Sequence, residues 1–135
     1  MPVLMELTRV VDSDLNDQHW IHLTEVNGKR TFPIVIGAPE ASAINRRLLE
    51  GPAFRPLTHQ LILNTIQALG GQCEGVLINR LKEHTYYAVL QVRHGDTLHE
   101  IDCRPSDGVA VAVHSSPMLP IYVAEDVLRA VVGDS

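Results

Sequence analysis

Cysteine is nearly absent from this 135-residue chain, which holds only Cys73 and Cys103. Two such distant cysteines cannot form a disulfide framework or a zinc motif, and they read as core or near-core thiols in a reducing cytoplasm. No run is long and apolar enough to cross a bilayer, so no membrane role is expected. The N-terminal MPVLMELTRVVDSD lacks the basic-then-apolar pattern and small-residue cleavage site of a secretory signal, which agrees with a cytoplasmic location. Internal repeats, low-complexity tracts and linkers are missing as well. So is any excess of positive charge: the formal net charge is -5. That balance argues against tight, non-specific binding of nucleic acid, where phosphate contacts dominate.

The length suits a single domain over residues 1–135, with enough chain for a real core. Hydrophobic residues make up 45% and charged residues 20%, a globular composition. The charge is uneven. Residues 1–40 and 105–135 each carry a net -3, whereas residues 41–104 carry +1. The middle segment holds Arg46, Arg47, Arg55, Arg80, Lys82, Arg93 and Arg104. Any contact with nucleic acid should therefore be local and weak.

Residues 3–11 alternate as a strand does. Residues 19–26 and 29–36 flank Asn27-Gly28, which predicts a hairpin with a type I′ turn. In that register Val26 faces Lys29, Glu25 faces Arg30, Leu23 faces Phe32 and Ile21 faces Ile34. A strand over 73–81 leads into a second hairpin, 85–94 with 97–103, whose Gly95-Asp96 suits a type II′ turn. There Leu90 faces Ile101, Ala88 faces Cys103 and Val89 faces Asp102, so Asp102 points away from the Leu90 and Ile101 face.

Three main helices are predicted: Glu40 to about Leu49, a second from Arg55-Pro56 to Leu69 closed by Gly70-Gly71, and a third after Arg104-Pro105. The last has a Val/Ala run that suits a strand equally well by propensity. Pro105, Ser106 and Asp107 make a good helix start and decide for helix. A short strand at Ile121–Val123 and a final helical turn over 125–131 complete the chain. Strands and helices come in blocks, so the class is α+β, a mixed and mainly antiparallel sheet with about three flanking helices.

The three main helices all open near a proline, in APEAS, RPLTHQ and RPSDGV. Helix starts expose unpaired N–H groups, and a neighbouring arginine adds a phosphate donor. Glu40, Asp102, Asp107 and His59 lie close to these corners in the sequence. Phosphoryl hydrolysis uses such types: carboxylates for a divalent metal, arginine for phosphate, histidine for a proton. Each also has an ordinary role. Asp107 and Glu40 suit a helix dipole, Arg55 and Arg104 suit loop carbonyls or acids, and His59 suits a cap or crevice. Asp102 is the hardest to explain this way, the simplest account being an ion pair with Arg104 or Arg55. His19, His22, His84, His94, His99 and His114 show no metal-ligand spacing.

The stretches FPIVIGAPEASAI, RPLTHQLILNTIQALGG, IDCRPSDGVAVAV and PIYVAEDVL resemble the bifunctional nuclease domain family over about residues 3–130. Members of that family have been ascribed both DNase and RNase activity. By position, the family's polar block residues are Glu40, Arg55, His59, Asp102, Arg104 and Asp107. The resemblance thus implies a nuclease-like phosphodiester hydrolase, assisted by Mg²⁺ or Mn²⁺. Arg55 and Arg104 would clamp phosphate, Asp102, Asp107 and Glu40 would hold metal, and His59 with Asp102 would be catalytic. The alternative is a non-catalytic module that binds a protein partner or a phosphorylated ligand. A homodimer is compatible with either. Gln60 stands where the family usually has Asp, which removes one candidate metal ligand or base partner. Cys103 and Gly108 stand where Ala is usual, and Gly108 alone should cost ~1 kcal/mol of helix stability. Longer members carry a UVR-type C-terminal segment, and none is expected in these residues.

Overall fold

In a computed structural model that describes residues 2–13 and 15–132, β1 (Pro2–Ser13), β2 (Gln18–Glu25) and β3 (Thr31–Val35) form an antiparallel meander. The ends of the expected domain, residue 1 and residues 133–135, lie outside the described residues. Ile21 pairs with Ile34 and Leu23 with Phe32, as the apolar alternation requires. The turn itself differs from expectation. Neither Asn27 nor Gly28 takes the positive φ of a type I′ turn. The ladder closes at Thr24 with Thr31, and Val26 does not pair with Lys29. Instead the Val26 N–H donates to the Leu4 carbonyl on β1 (3.1 Å). The Glu25 N–H still donates to the Arg30 carbonyl (2.9 Å), and the Arg30 guanidinium binds Glu25 (2.7 Å) and Glu125 (2.7 Å). Competition from the neighbouring strand thus displaces the tight turn while the register survives.

A second meander comprises β4 (Gln72–Lys82), β5 (Thr85–His94) and β6 (Thr97–Cys103). Gly95 has φ 61° and Asp96 stays out of the positive region, as a type II′ turn demands. Leu90–Ile101, Ala88–Cys103 and Val89–Asp102 all pair as expected. The turn between β4 and β5 carries no sequence signal. Lys82 pairs with Thr85, which leaves Glu83 and His84 as a two-residue loop with φ of 51° and 66°. The twist of the flanking strands selects this left-handed geometry even without Asn or Gly. A side chain in that region costs about 1 kcal/mol or more. Both residues are exposed. Glu83→Asn with His84→Gly is therefore expected to raise stability by about 1 kcal/mol, read as a higher urea midpoint. An unchanged or lower midpoint would contradict this account of the turn.

The two meanders join through β7 (Ile121–Ala124), in the sheet order β3-β2-β1-β7-β4-β5-β6. This strand runs antiparallel to β1 and parallel to β4, and its Ile121 and Val123 are sealed from water. The sheet coils enough for Phe32 on β3 to meet Tyr86 on β5, ring centroids 5.9 Å apart.

The helices are α1 (Ala38–Glu50), α2 (Thr58–Ala68), α3 (Pro105–His114) and α4 (Glu125–Val132). The last runs one residue past the expected 125–131. Gly70, at φ 89°, closes α2, with the Gly71 N–H bound to the Ile66 carbonyl (2.9 Å). The Val/Ala run is helical in α3, which packs between α1 and α2 and against β4 and β5. Val109 through His114 are all buried there. Pro39 and Pro105 sit in the first turns of α1 and α3, but Pro56 lies outside α2. Leu57 is extended (φ -88°, ψ 180°), so α2 starts at Thr58 and Arg55 stays in the preceding loop. No helix among the described residues is long and apolar enough to cross a membrane.

Candidate functional site

The first turns of three helices meet through Glu40, His59 and Asp107, with Arg104 at the junction. Arg104 is the extended residue before α3 (φ -72°, ψ 146°), so its side chain leaves the helix and folds back over the first turn. Its Nε and Nη2 atoms donate to Asp107 Oδ2 (2.9 and 2.8 Å). Nη2 also lies 3.6 Å from Glu40 Oε1. The other Asp107 oxygen, Oδ1, is 3.2 Å from His59 Nε2. A carboxylate can only accept, so this contact places a proton on Nε2 of the imidazole. Among the described residues His59 Nδ1 has no hydrogen-bond partner, and yet it is not sealed off from solvent.

A second imidazole completes the group. His114 stands 5.8 Å from His59, ring centre to ring centre. Its Nδ1–H donates to the Ala110 carbonyl (2.7 Å). Burial pushes the His114 pKa below the ordinary 6.5, the Ala110 bond opposes this, and the charges of His59 and Arg47 lower it further. The neutral form is thus favoured in the folded chain. The unfolded chain binds the proton more readily, so stability gained from this group is present above about pH 6.5 and lost as the pH falls below it. Urea midpoints measured between pH 7.5 and pH 5 should fall for the native sequence and fall less for His114→Gln. Equal slopes would remove His114 from the pH response.

Sequence reasoning passed over His114 because it sits at a helix end without ligand spacing. The available signal was the seven-residue interval from Asp107, which puts both on one face of α3. Glu40 and Arg47 have the same interval on α1. Among the other candidates, Asp102 is exposed at the end of β6 opposite Val89 and makes no ion pair or hydrogen bond among the described residues. The expected pair with Arg104 does not form, because that guanidinium is taken by Asp107 and Glu40. Arg55 is exposed and likewise has no carboxylate partner among the described residues. His19 is held by Asp12 (2.9 Å) and Asp17 (3.4 Å), away from this group. Burial and then the Asp102 and Asp107 charges push the Cys103 thiol up to about 11, so it stays protonated at neutral pH.

Among the described residues no three His, Cys, Asp or Glu side chains gather as a metal-binding group. Arg104 stands between Glu40 and Asp107 and supplies the positive charge that a divalent ion would bring. As arranged, this donor set does not fit a resident Mg²⁺ or Mn²⁺.

The model of the bifunctional nuclease domain family matches residues 21–133. Two curated relatives come from Mycobacterium tuberculosis, strains CDC 1551 / Oshkosh and ATCC 25618 / H37Rv, both described only as uncharacterized proteins. Each is 45% identical over 108 residues, covering 78% of this chain. The match spans 62% of the length of each relative.

Proposed function

The chain belongs to the bifunctional nuclease domain family, and on that premise we propose that it is a nuclease-like phosphodiester hydrolase acting on DNA, RNA or both. The observation that carries the reading is the continuous link from Arg104 through Asp107 to His59. The Arg104 side chain is 66% exposed, and its Nη1 has no partner among the described residues, which suits a phosphate oxygen. Asp107 orients His59 and fixes its tautomer. Nδ1 of His59 takes a proton from the attacking water, whose oxygen bonds to phosphorus. The bond from phosphorus to one ester oxygen breaks, and the departing oxygen takes the proton from His59. No step is assigned to a metal ion. Arg55 and Asp102 remain proposed contributors to phosphate binding and catalysis.

The rival reading, a phosphate-binding module without catalysis, is favoured by one observation. The Gln60 amide binds Asn64 (3.0 Å) rather than His59, so the residue that follows the histidine gives no help to the imidazole.

The test is cleavage of labelled single-stranded DNA and RNA, in EDTA and with Mg²⁺ or Mn²⁺, by the native protein and by Arg104→Ala, Asp102→Asn and Arg55→Ala. Arg104→Ala should raise KM, and the log–log salt slope of its binding should be shallower by about 0.7, the share of one phosphate on a single strand. Cutting no faster by the native protein than by every variant would leave the binding module as the better account. Cutting only with added metal would restore the divalent-ion requirement expected of the family.

A further inference from the structure

We propose that the pocket between α1, the 51–57 loop and α2 is a nucleotide subsite for single-stranded nucleic acid, with Arg46 and Arg47 on a backbone phosphate and Phe54 stacked on a base. The proposal deepens the hydrolase reading above and rests on it for the polymer involved. The pocket has a volume of about 250 Å³ and its lining includes Arg46, Arg47, Phe54, Gln60, Asn64 and His114. That is smaller than the ~300–1,000 Å³ of pockets that enclose a whole small ligand. It suits one unit of a chain that enters and leaves. A larger groove of about 830 Å³ shares Arg47, Gln60 and His114 with it and continues along α2 to Gly70-Gly71. The two form a track whose wall includes His114, the neighbour of His59.

Charge and shape agree with that occupant. Neither Arg46 nor Arg47 has a carboxylate partner among the described residues, whereas Arg30, Arg93 and Arg104 all do. The Arg47 charge is felt at His114, across the pocket wall. Phe54 lines the same pocket with 99% of its surface in water. In the loop GPAFRPL, Phe54 lies in sequence between Pro52 and Pro56, which restrict the backbone, and Arg55 beside it adds another cation without a carboxylate partner among the described residues. A free aromatic face interleaved with arginines is the pattern that binds single strands without reading their sequence. It also reconciles local binding with the net charge of -5.

The test is fluorescence anisotropy of a labelled ten-residue oligothymidylate in EDTA, across a salt series, with cleavage measured separately. Arg46→Ala with Arg47→Ala should weaken binding and make the salt slope shallower by about 0.7 for each phosphate no longer neutralised. Phe54→Ala should weaken binding roughly tenfold, and Phe54→Trp should hold it. Lys82→Ala, on the β4 edge of its hairpin, should match the native protein. Each replaced side chain is exposed or lines the pocket, and melting temperatures check that the fold is kept.

Native-like affinity in both Phe54→Ala and the double arginine variant would overturn the subsite while leaving hydrolysis standing. Pocket-dependent binding by a native protein that cuts nothing would overturn hydrolysis and support the subsite. Displacement by polyglutamate as effective as by unlabelled oligothymidylate would overturn the proposal, because only charge would be recognised. A Phe54→Asp variant that changes oligomeric mass and leaves oligonucleotide affinity intact would also overturn it, making the loop a contact between copies. No binding at low salt would remove the subsite outright.

Discussion

His59→Gln is expected to lower the single-turnover cleavage of a single-stranded oligonucleotide by about 10²-fold or more, the usual contribution of a positioned acid–base group. The expectation follows from three features of one side chain. Its Nε2 is committed to Asp107 Oδ1 at 3.2 Å, its Nδ1 has no hydrogen-bond partner among the described residues, and its side chain is 11% exposed. A buried imidazole with one nitrogen pinned and the other open has lost its rotational freedom but kept its proton chemistry. Glutamine keeps much of the volume and the hydrogen bond and removes the chemistry, so a melting temperature near that of the native protein separates lost catalysis from lost packing. Asp107→Asn is a positioning variant. It should lower kcat with little change in KM, because Nε2 loses a charged partner while Arg104 still faces the phosphate. Arg104→Ala should show the opposite split. A His59→Gln protein that cuts as fast as the native one sinks the catalytic assignment.

Gly108→Ala should destabilise the protein by about 1–2 kcal/mol, although alanine is the better helix former. The helical gain is ~1 kcal/mol, while overpacking a filled core costs about 1–3 kcal/mol and more where neighbours are backbone-locked. A Cβ at Gly108 would lie 2.8 Å from Val76 Cγ1 and 3.2 Å from Cys103 Sγ. Val76 is fully buried on β4 and has little room to turn. Read along the chain, Gly108 looks like a helix defect and Cys103 like a small change of volume. In the fold they are one adjustment: the larger sulfur occupies space that the missing Cβ leaves. Cys103→Ala alone should cost about 1 kcal/mol by emptying that space. The double variant, with alanine at both positions, should be more stable than the two single effects added, by at least about 0.5 kcal/mol. Urea denaturation of the four proteins measures this coupling. Strict additivity would mean that Val76, not Cys103, sets the constraint.

Turns and alternation determined a good part of this protein without reference to the rest of the chain. The pairing Leu23–Phe32 follows from a short connection between adjacent strands, because a slip by one residue would turn the buried Ile21, Leu23, Phe32 and Ile34 outward, and the pairing Leu90–Ile101 follows from the two-residue turn at Gly95-Asp96. The helix start at Pro105 and the stop at Gly70 are equally local, since backbone φ and unpaired N–H and C=O groups act within a turn. The contents of the site were legible as residue types near helix starts, and Glu40, His59, Arg104 and Asp107 do converge. Their partners were not legible. Asp107 rather than Asp102 meets both His59 and Arg104, and His114 joins them, because α3 is wedged between α1 and α2 and presents its 107–114 face to them. The Glu83-His84 turn and the place of β7 between β1 and β4 were likewise outside local reach. Parallel pairing, helix docking and the shared volume at Gly108 are contacts between residues far apart in the chain, where packing and burial outweigh the local preferences that a sequence displays.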